Sequence, residues 1–351
     1  MLKTSRLSDG CGIERVTDLE CRIFYHDKCF DGACSASLFM RFHRECVKTA
    51  DKFSFHGLVH RAGALFDDGA FIDTGDGGEN AIVDFKYSAS PKVTWWFDHH
   101  QSAFLTAEDE KNFRDGQADG SQRMRKFFNP NYVSCTSLIA DIGRVDFGFD
   151  TAPVLELIKW ADIVDGARYE SAKAAVEMEA PAMKLTMVIE SASDNNLVPR
   201  LIPLLTEMSL EQVLDQSFVQ ELLGPLMERH QAALELIRTR STVDRGVITF
   251  DISDQLMEGY NKFIPYYLHP EATYNVGLSK SSFRTKVSVG TNPWTKIEPS
   301  KLVNLAAICE RYGGGGHARV GAISFPPDRE DQARKAVGEI VAELQAAATK
   351  D

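Results

Sequence analysis

Three short apolar runs in the first hundred residues, at 21–25, 81–83 and 93–97, each stop on side chains that bind metals. They end at His26, at Asp84, and at Asp98 followed by His99 and His100. Runs of this length, rich in Ile, Val, Phe and Trp and bounded by polar loops, read as buried strands. The first passes into His26-Asp27-Lys28-Cys29-Phe30-Asp31-Gly32 and then into small and apolar residues at helical spacing over 33–43. Strand, polar loop and helix open a βαβ unit, and parallel strands joined by crossovers bring their C-terminal ends to one edge of the sheet. The pattern therefore predicts one site assembled from several loops. Each loop alone reads equally as a turn whose Asp and Gly serve the backbone.

The donors form a chemically coherent set. Consecutive strand side chains point to opposite faces, so Asp98, His99 and His100 cannot all serve one metal; one His binds and its neighbours support it. His26, Asp31, Asp84, His99 and Asp162 supply N and O ligands for two divalent cations, with Cys29 and Asp27 as further donors in the first loop. Asp162, like Asp165 beside it, also reads as a helix cap. A mixed imidazole and carboxylate set suits Mn2+, with Mg2+ or Co2+ as alternatives, and the chain lacks the Cys-rich pattern of structural zinc. Two such cations about 3.5–4 Å apart activate a water and stabilise the entering and leaving oxygens of a phosphoryl centre.

Further along, residues 106–129 are charged and contain Gly, and read as an exposed insertion. Helical periodicity covers 134–147 and 152–163. A polar stretch with two Pro over 191–203 marks the expected end of a first domain, 1–195. Residues 196–240 are expected as a helical linker that Pro225 kinks or divides. Strand patterns follow at 246–252, 272–280 and 283–290, the last two a hairpin around Ser281-Ser282, then helix 300–312, strand 320–325 and helix 329–348. The fold class is α/β: an N-terminal parallel-sheet domain with flanking helices, a linker helix, and a smaller C-terminal α/β domain, 241–351, with a mixed sheet. Between helix and strand stand Gly313, Gly314, Gly315, Gly316, His317 and, two residues on, Arg319. Backbone N–H groups without neighbouring Cβ atoms approach anions closely, and His and Arg add donors suited to phosphate.

A formal net charge of −11 over 351 residues points away from long duplex DNA, which basic surfaces hold. It fits a small anionic substrate at a cation-loaded site, a short oligonucleotide or small nucleotide, bound between the domains. No apolar run is long enough to cross a bilayer, residues 1–20 lack a signal-like core, and seven Cys occur without a C-x-x-C pair. These features lead to an expected cytoplasmic protein without membrane contact, and leave room for a homodimer.

The ordered set His26…Asp31-Gly32, Asp84, Asp98-His99-His100, Asp162 and Gly313–His317 resembles the DHH phosphoesterase superfamily with its DHH-associated C-terminal domain, over most of the chain. The resemblance implies a two-metal, usually Mn2+-dependent hydrolase. Asp84 would bridge the metals, His26 would bind one, and Asp31, His99 and Asp162 the other. Asp98 and His100 would support the centre or contact phosphate as part of the catalytic motif, and Gly313–Gly316, His317 and Arg319 would grip a phosphate. Such proteins include enzymes that degrade very short RNAs, single-strand exonucleases and polyphosphatases. Two departures stand out. Where many members have a further Asp before the Asp-Gly pair, this chain has Cys29; that leaves a softer ligand, a substitute in Asp27, a weak metal position, or a sensor that binds nucleotide without turnover. The segment 286–292 also lacks the Arg that short-RNA-degrading members carry, with Arg284 or Lys286 as compensation.

Overall fold

The computed structural model describes residues 19–61 and 65–348; the reading of residues 1–18 as lacking a signal core lies outside them. The chain forms two compact units, Met1–Gly166 with Ala192–Ser209, and Ala167–Ser191 with Leu210–Asp351. Residues 196–240, expected as a linker, are divided between them.

In the first unit five strands, β1 (Glu20–His26), β2 (Lys52–Leu58), β3 (Glu79–Val83), β4 (Trp95–Asp98) and β5 (Lys126–Phe128), form an all-parallel sheet in the order β2-β1-β3-β4-β5. Every residue of β3 and β4 is buried, as expected of central parallel strands covered on both faces. Helix α1 (Phe30–Phe42) is buried along nearly its whole length. Its Ala, Gly and Ser residues let it approach its neighbours closely, and Ser35 and Ser37 satisfy their hydroxyls on Thr136 and Thr206. Phe39 and Phe42 pack against Trp95, with ring centroids 5.6 and 6.0 Å away. Burying a Phe side chain of this kind contributes about 1.5–3 kcal/mol.

The order of the strands is what positions the site. The chain leaves β1 for one edge, then returns to the other side of β1 as β3, so the direction of winding reverses between β1 and β3. In open α/β sheets the crevice at such a switch point, outside the C-terminal strand ends, is where ligands bind. Tyr25 pairs with Val83, and Val83 with Phe97. His26, Asp84 and Asp98 therefore lie level at the C-terminal ends of three neighbouring strands.

Residues 106–129 are largely exposed, as expected, but they hold regular elements. Thr106 and Asp109 form a reciprocal capping box that starts α2 (Ala107–Ala118), and β5 adds the fifth strand. Three residues are too few to show a period, and β5 opens on a buried lysine. Lys126 tolerates this because its ammonium lies 4.9 Å from the Tyr87 ring centre; burial lowers its pKa to about 8. Helices α3 (Cys135–Phe147) and α4 (Leu155–Asp165) complete the part of this unit that surrounds the site.

In the second unit β6 (Thr242–Asp244), β7 (Val247–Leu256), β8 (Tyr274–Lys280), β9 (Thr285–Thr291), β10 (Gly315–His317) and β11 (Val320–Phe325) form a sheet ordered β10-β11-β9-β8-β7-β6. β7 and β8 pair in parallel and the other neighbours antiparallel, so the sheet is mixed. One face (Val276, Leu278, Val287, Ile323) packs against Ala333, Ile340 and Leu344 of the closing helix Glu330–Ala348. The other (Ile248, Phe250, Ile252) packs against Ala233, Leu234 and Ile237 of the helix Ser217–Arg240. That helix runs through Pro225, and the break falls earlier, after the short helix Leu210–Leu214. Gly224, just before the proline, has no Cβ to meet the pyrrolidine ring, which removes the usual crowding at that position. The helix expected over 300–312 is shorter, Leu305–Glu310, with the Asn304 side chain accepting from Ala307 N.

Candidate metal centre

His26 ends β1, Asp84 follows β3, and Asp98 ends β4 with His99 and His100 beyond it. Asp31 stands in the first turn of α1. The α1 N-terminus reaches these strand ends because residue 32 is glycine: a Cβ there would sit 2.1 Å from the His26 carbonyl oxygen. Asp31 is 1 % exposed and is held from behind. Its carboxylate accepts from Cys135 N at 2.7 Å, Thr136 N at 3.1 Å and Thr136 Oγ1 at 2.6 Å. These are donors at the N-terminus of α3, where helices favour negative charge.

Asp84 is also 1 % exposed, yet both of its carboxylate oxygens are buried without a hydrogen-bond partner. Its backbone N still donates to Phe97 O at 2.9 Å, continuing the ladder to β4, while its φ of 56° lies in the left-handed region. A non-glycine residue there costs about 1–3 kcal/mol and persists where the surroundings over-determine it. Lys28, in the first loop, shares the feature with φ 54°.

The orientation of His99 follows from its contacts. Nδ1 lies 3.2 Å from Tyr132 O, and a carbonyl only accepts, so Nδ1 carries the proton and Nε2 is left to face the cluster. Nε2 is 3.7 Å from Asp31, 3.6 Å from Asp84 and 3.6 Å from Asp165 carboxylate oxygens. These gaps are too long for hydrogen bonds. They lie close to the roughly 3.3–3.6 Å between two ligands of one tetrahedral cation at bond lengths of about 2.0–2.2 Å. His26 Nδ1 and Asp84 Oδ2, 3.4 Å apart, have the same spacing. Buried polar atoms without partners, an imidazole Nε2 facing three carboxylates, and ligand-to-ligand distances together fit divalent cations.

Charge responds accordingly. Burial alone would lower the His99 pKa, but the carboxylates of Asp84, Asp31 and Asp165 outweigh it and raise it to about 9. Burial would raise Asp84, but His26, His99 and His100 hold it well below the usual carboxylate range. Burial, with Asp84 and Asp165, pushes Asp31 well up, and burial with Asp84 raises Asp165. Asp98 turns to its own neighbours: Oδ1 accepts from His99 N, His100 N and His100 Nδ1, at 2.8, 3.1 and 2.7 Å. The bond from His100 raises that imidazole's pKa and leaves its Nε2 available.

The donors fall into overlapping groups that share residues: His26, Cys29 and Asp84; Asp84, His99 and His100; and Asp31, His99 and Asp165. Asp27 is in none of these groups; its side chain lies where a Cβ on Gly57 would be. Asp162 is not brought in either, for its Oδ1 accepts from Ser134 Oγ at 2.6 Å, holding the residue that caps α3. Asp165, one turn further along α4, takes the place beside His99. His60 also borders the cluster: its ring stacks on Phe85 with centroids 4.7 Å apart and meets His26 edge-on at 5.0 Å. Nothing in the apolar pattern before it marks it out.

In the second unit, the glycine segment is less open than a free loop. Gly313 N and Gly314 N donate to Glu310 O and Cys309 O, closing the helix before them, and Gly315–His317 pairs with β11. A Cβ on Gly314 or Gly316 would lie 2.3 or 2.2 Å from a backbone oxygen of β11, so close strand approach accounts for those two. Gly315 and His317 are exposed. Arg319 is anchored through Nη2 to Asn292 O at 3.2 Å.

No family model and no curated protein matches the chain. Among solved structures it is similar to a pGpG-specific phosphodiesterase, PggH, from Vibrio cholerae: TM-score 0.64 and 20% identity, covering 92% of this chain and 99% of that one. It is also similar to a DHH domain described as belonging to a family of ribosomal proteins: TM-score 0.53 and 13% identity, covering 93% and 87%. At these identities the likeness is one of fold.

Proposed function

We propose that this chain, which has the fold of the DHH phosphoesterases, hydrolyses phosphoester bonds of short oligonucleotides or small nucleotides with the help of two divalent cations. The observation that carries the reading is Asp84, a buried carboxylate with no partner for either oxygen, placed at a sheet switch point among imidazoles and carboxylates. The cations supply Lewis-acid activation of water and charge stabilisation at phosphorus. In this reading Asp84 is the shared ligand, with His26 on one side and Asp31, His99 and Asp165 on the other.

The chain's own residues divide the remaining work. Tyr132 O accepts from Nδ1–H of His99 and so leaves Nε2 as the nitrogen that would take a cation in place of a proton. Asp98 holds Nδ1–H of His100 and favours its protonated form, so that Nε2–H donates to a phosphoryl oxygen or to the leaving oxygen. Exposed His317, with the anchored Arg319, is assigned to a substrate phosphate in the second unit. The relative named for pGpG makes linear dinucleotides the first substrates to test. Inorganic polyphosphate and single-stranded DNA are the runner-up polymers.

The test is a panel of dinucleotides, longer oligomers, polyphosphate and mononucleotides with Mn2+, Mg2+ and Co2+. The expected result is metal-dependent release of mononucleotide from dinucleotides, abolished by Asp84→Ala. No turnover of any phosphoester with any of these ions overturns the proposal.

A further inference from the structure

Cys29 occupies the first position before α1, where Ser, Thr, Asp and Asn are preferred because their side chains cap the helix. Its side chain makes no capping bond. Instead its thiol belongs, with one nitrogen of His26 and one oxygen of Asp84, to a group whose potential ligand atoms all lie within 4.8 Å of one another. Two further observations point to a ligand at this spot. His26 Nδ1 and both Asp84 oxygens are buried without hydrogen-bond partners, and the His26–Asp84 gap of 3.4 Å is the separation of two ligands on one tetrahedral cation. A sulfur at about 2.3 Å and a nitrogen at about 2.1 Å from the same cation would lie about 3.6 Å apart, so the group needs little movement to close.

We propose that Cys29 is a metal ligand, making the two cation positions of the centre unequal: His26, Cys29 and Asp84 form an N/S/O position, and Asp31, His99 and Asp165, with the shared Asp84, an N/O position. The inference rests on the two-cation reading above. Thiolate is a soft ligand and selects Zn2+, Fe2+ or Co2+ over Mn2+ or Mg2+, whereas carboxylate-rich sites favour the harder ions. The first position therefore takes a borderline-soft cation and the second a harder one. Asp27, the other acidic residue of the loop, lies outside the group and does not restore an all-oxygen and nitrogen set.

Other clusters carry less. Cys21, His43 and Glu79 also lie within ligand range of one another. There, however, His43 Nε2 already sits 2.5 Å from Glu79 Oε2, and Arg125 pairs with the other Glu79 oxygen at 2.8 Å, so the charge is satisfied without a cation. That cluster supplies the control.

The experiment loads the full-length, metal-stripped protein with Co2+ and records its electronic spectrum. The thiolate-to-cobalt charge-transfer band reports a Co–S bond and does not depend on turnover. It is expected in the unaltered protein and in Cys21→Ser, and absent from Cys29→Ser and Cys29→Asp, with circular dichroism confirming that each is folded. In competition, the preference for Zn2+ over Mn2+ at the tighter-binding position falls at least about tenfold in Cys29→Asp, the smaller end of what losing even an outer ligand partner costs. Bound Co2+ without the band, or a band that survives Cys29→Ser, overturns the assignment. Dinucleotide turnover measured in parallel separates the two claims. Turnover without a band removes only the Cys29 assignment; a band without turnover of any phosphoester removes only the phosphoesterase reading.

Discussion

Asp165→Asn tests whether the cluster is built for cations, because it should change stability in opposite directions with and without metal. In the metal-free protein the Asp165 and Asp31 ligand atoms lie within 4.8 Å of each other. At an effective dielectric of about 20, two ionised carboxylates at that distance would repel by up to about 3 kcal/mol, a repulsion already expressed in the raised pKa of Asp31. Asp84, near the same histidine, adds a comparable term. Attraction to a protonated His99 at 3.6 Å returns about 5 kcal/mol, leaving a residual repulsion on the order of 1 kcal/mol. Removing the Asp165 charge should therefore stabilise the stripped protein by about 1 kcal/mol, or about 2–4 °C in melting temperature for a unit of this size. Saturating metal at about 100 times its dissociation constant stabilises the unaltered protein by about 2.7 kcal/mol, and the variant by much less. Thermal unfolding followed by circular dichroism, in chelator and in Mn2+, should show the two melting curves exchange order. A variant less stable under both conditions, with an undiminished metal increment, refutes the reasoning.

The same cluster makes stability depend on pH. His99 is raised to about 9 from an unfolded value near 6.5; its contribution is thus full below about pH 6.5 and lost as pH rises through about 9. Melting temperatures of the stripped protein should fall across that window, and His99→Gln should flatten the fall. Asp162→Asn should leave metal affinity within a few-fold, by calorimetric titration, where Asp165→Asn lowers it at least about tenfold. Gly32→Ala places a Cβ against the His26 carbonyl; overpacking costs about 1–3 kcal/mol, or more where backbone must move, and should lower the urea midpoint. Gly315→Ala, with open space around its Cβ position, should leave that midpoint unchanged.

Much of the candidate centre is legible in the chain because strand ends are marked locally. An apolar run that stops on Asp or His says both where the strand ends and what it presents there, which picked out His26, Asp84, Asp98, His99 and His100. Asp31-Gly32 was legible for a similar reason, since the next helix starts beside it. β5 is not legible in the sequence, because three residues, one a buried lysine, carry no period. The glycine run reads in sequence as a cradle of N–H groups, but two of those groups close the preceding helix and two glycines are explained by β11.

What the sequence alone determined is therefore the inventory: which loops carry donors, in which order, and that parallel strands would gather them. What only the tertiary structure decided is the selection among near-equivalent donors. Asp162 and Asp165 lie three residues apart on α4, on nearly the same face and separated by about 4.5 Å along its axis, so periodicity cannot choose between them. The packing of α4 beside α1 and α3 chooses, giving Asp162 to Ser134 and Asp165 to His99. The same holds in the first loop, where Cys29 meets His26 and Asp84 while Asp27, two residues earlier, lies against Gly57. Ligand geometry is a matter of a few tenths of an ångström, and no local pattern specifies how packed elements meet at that precision.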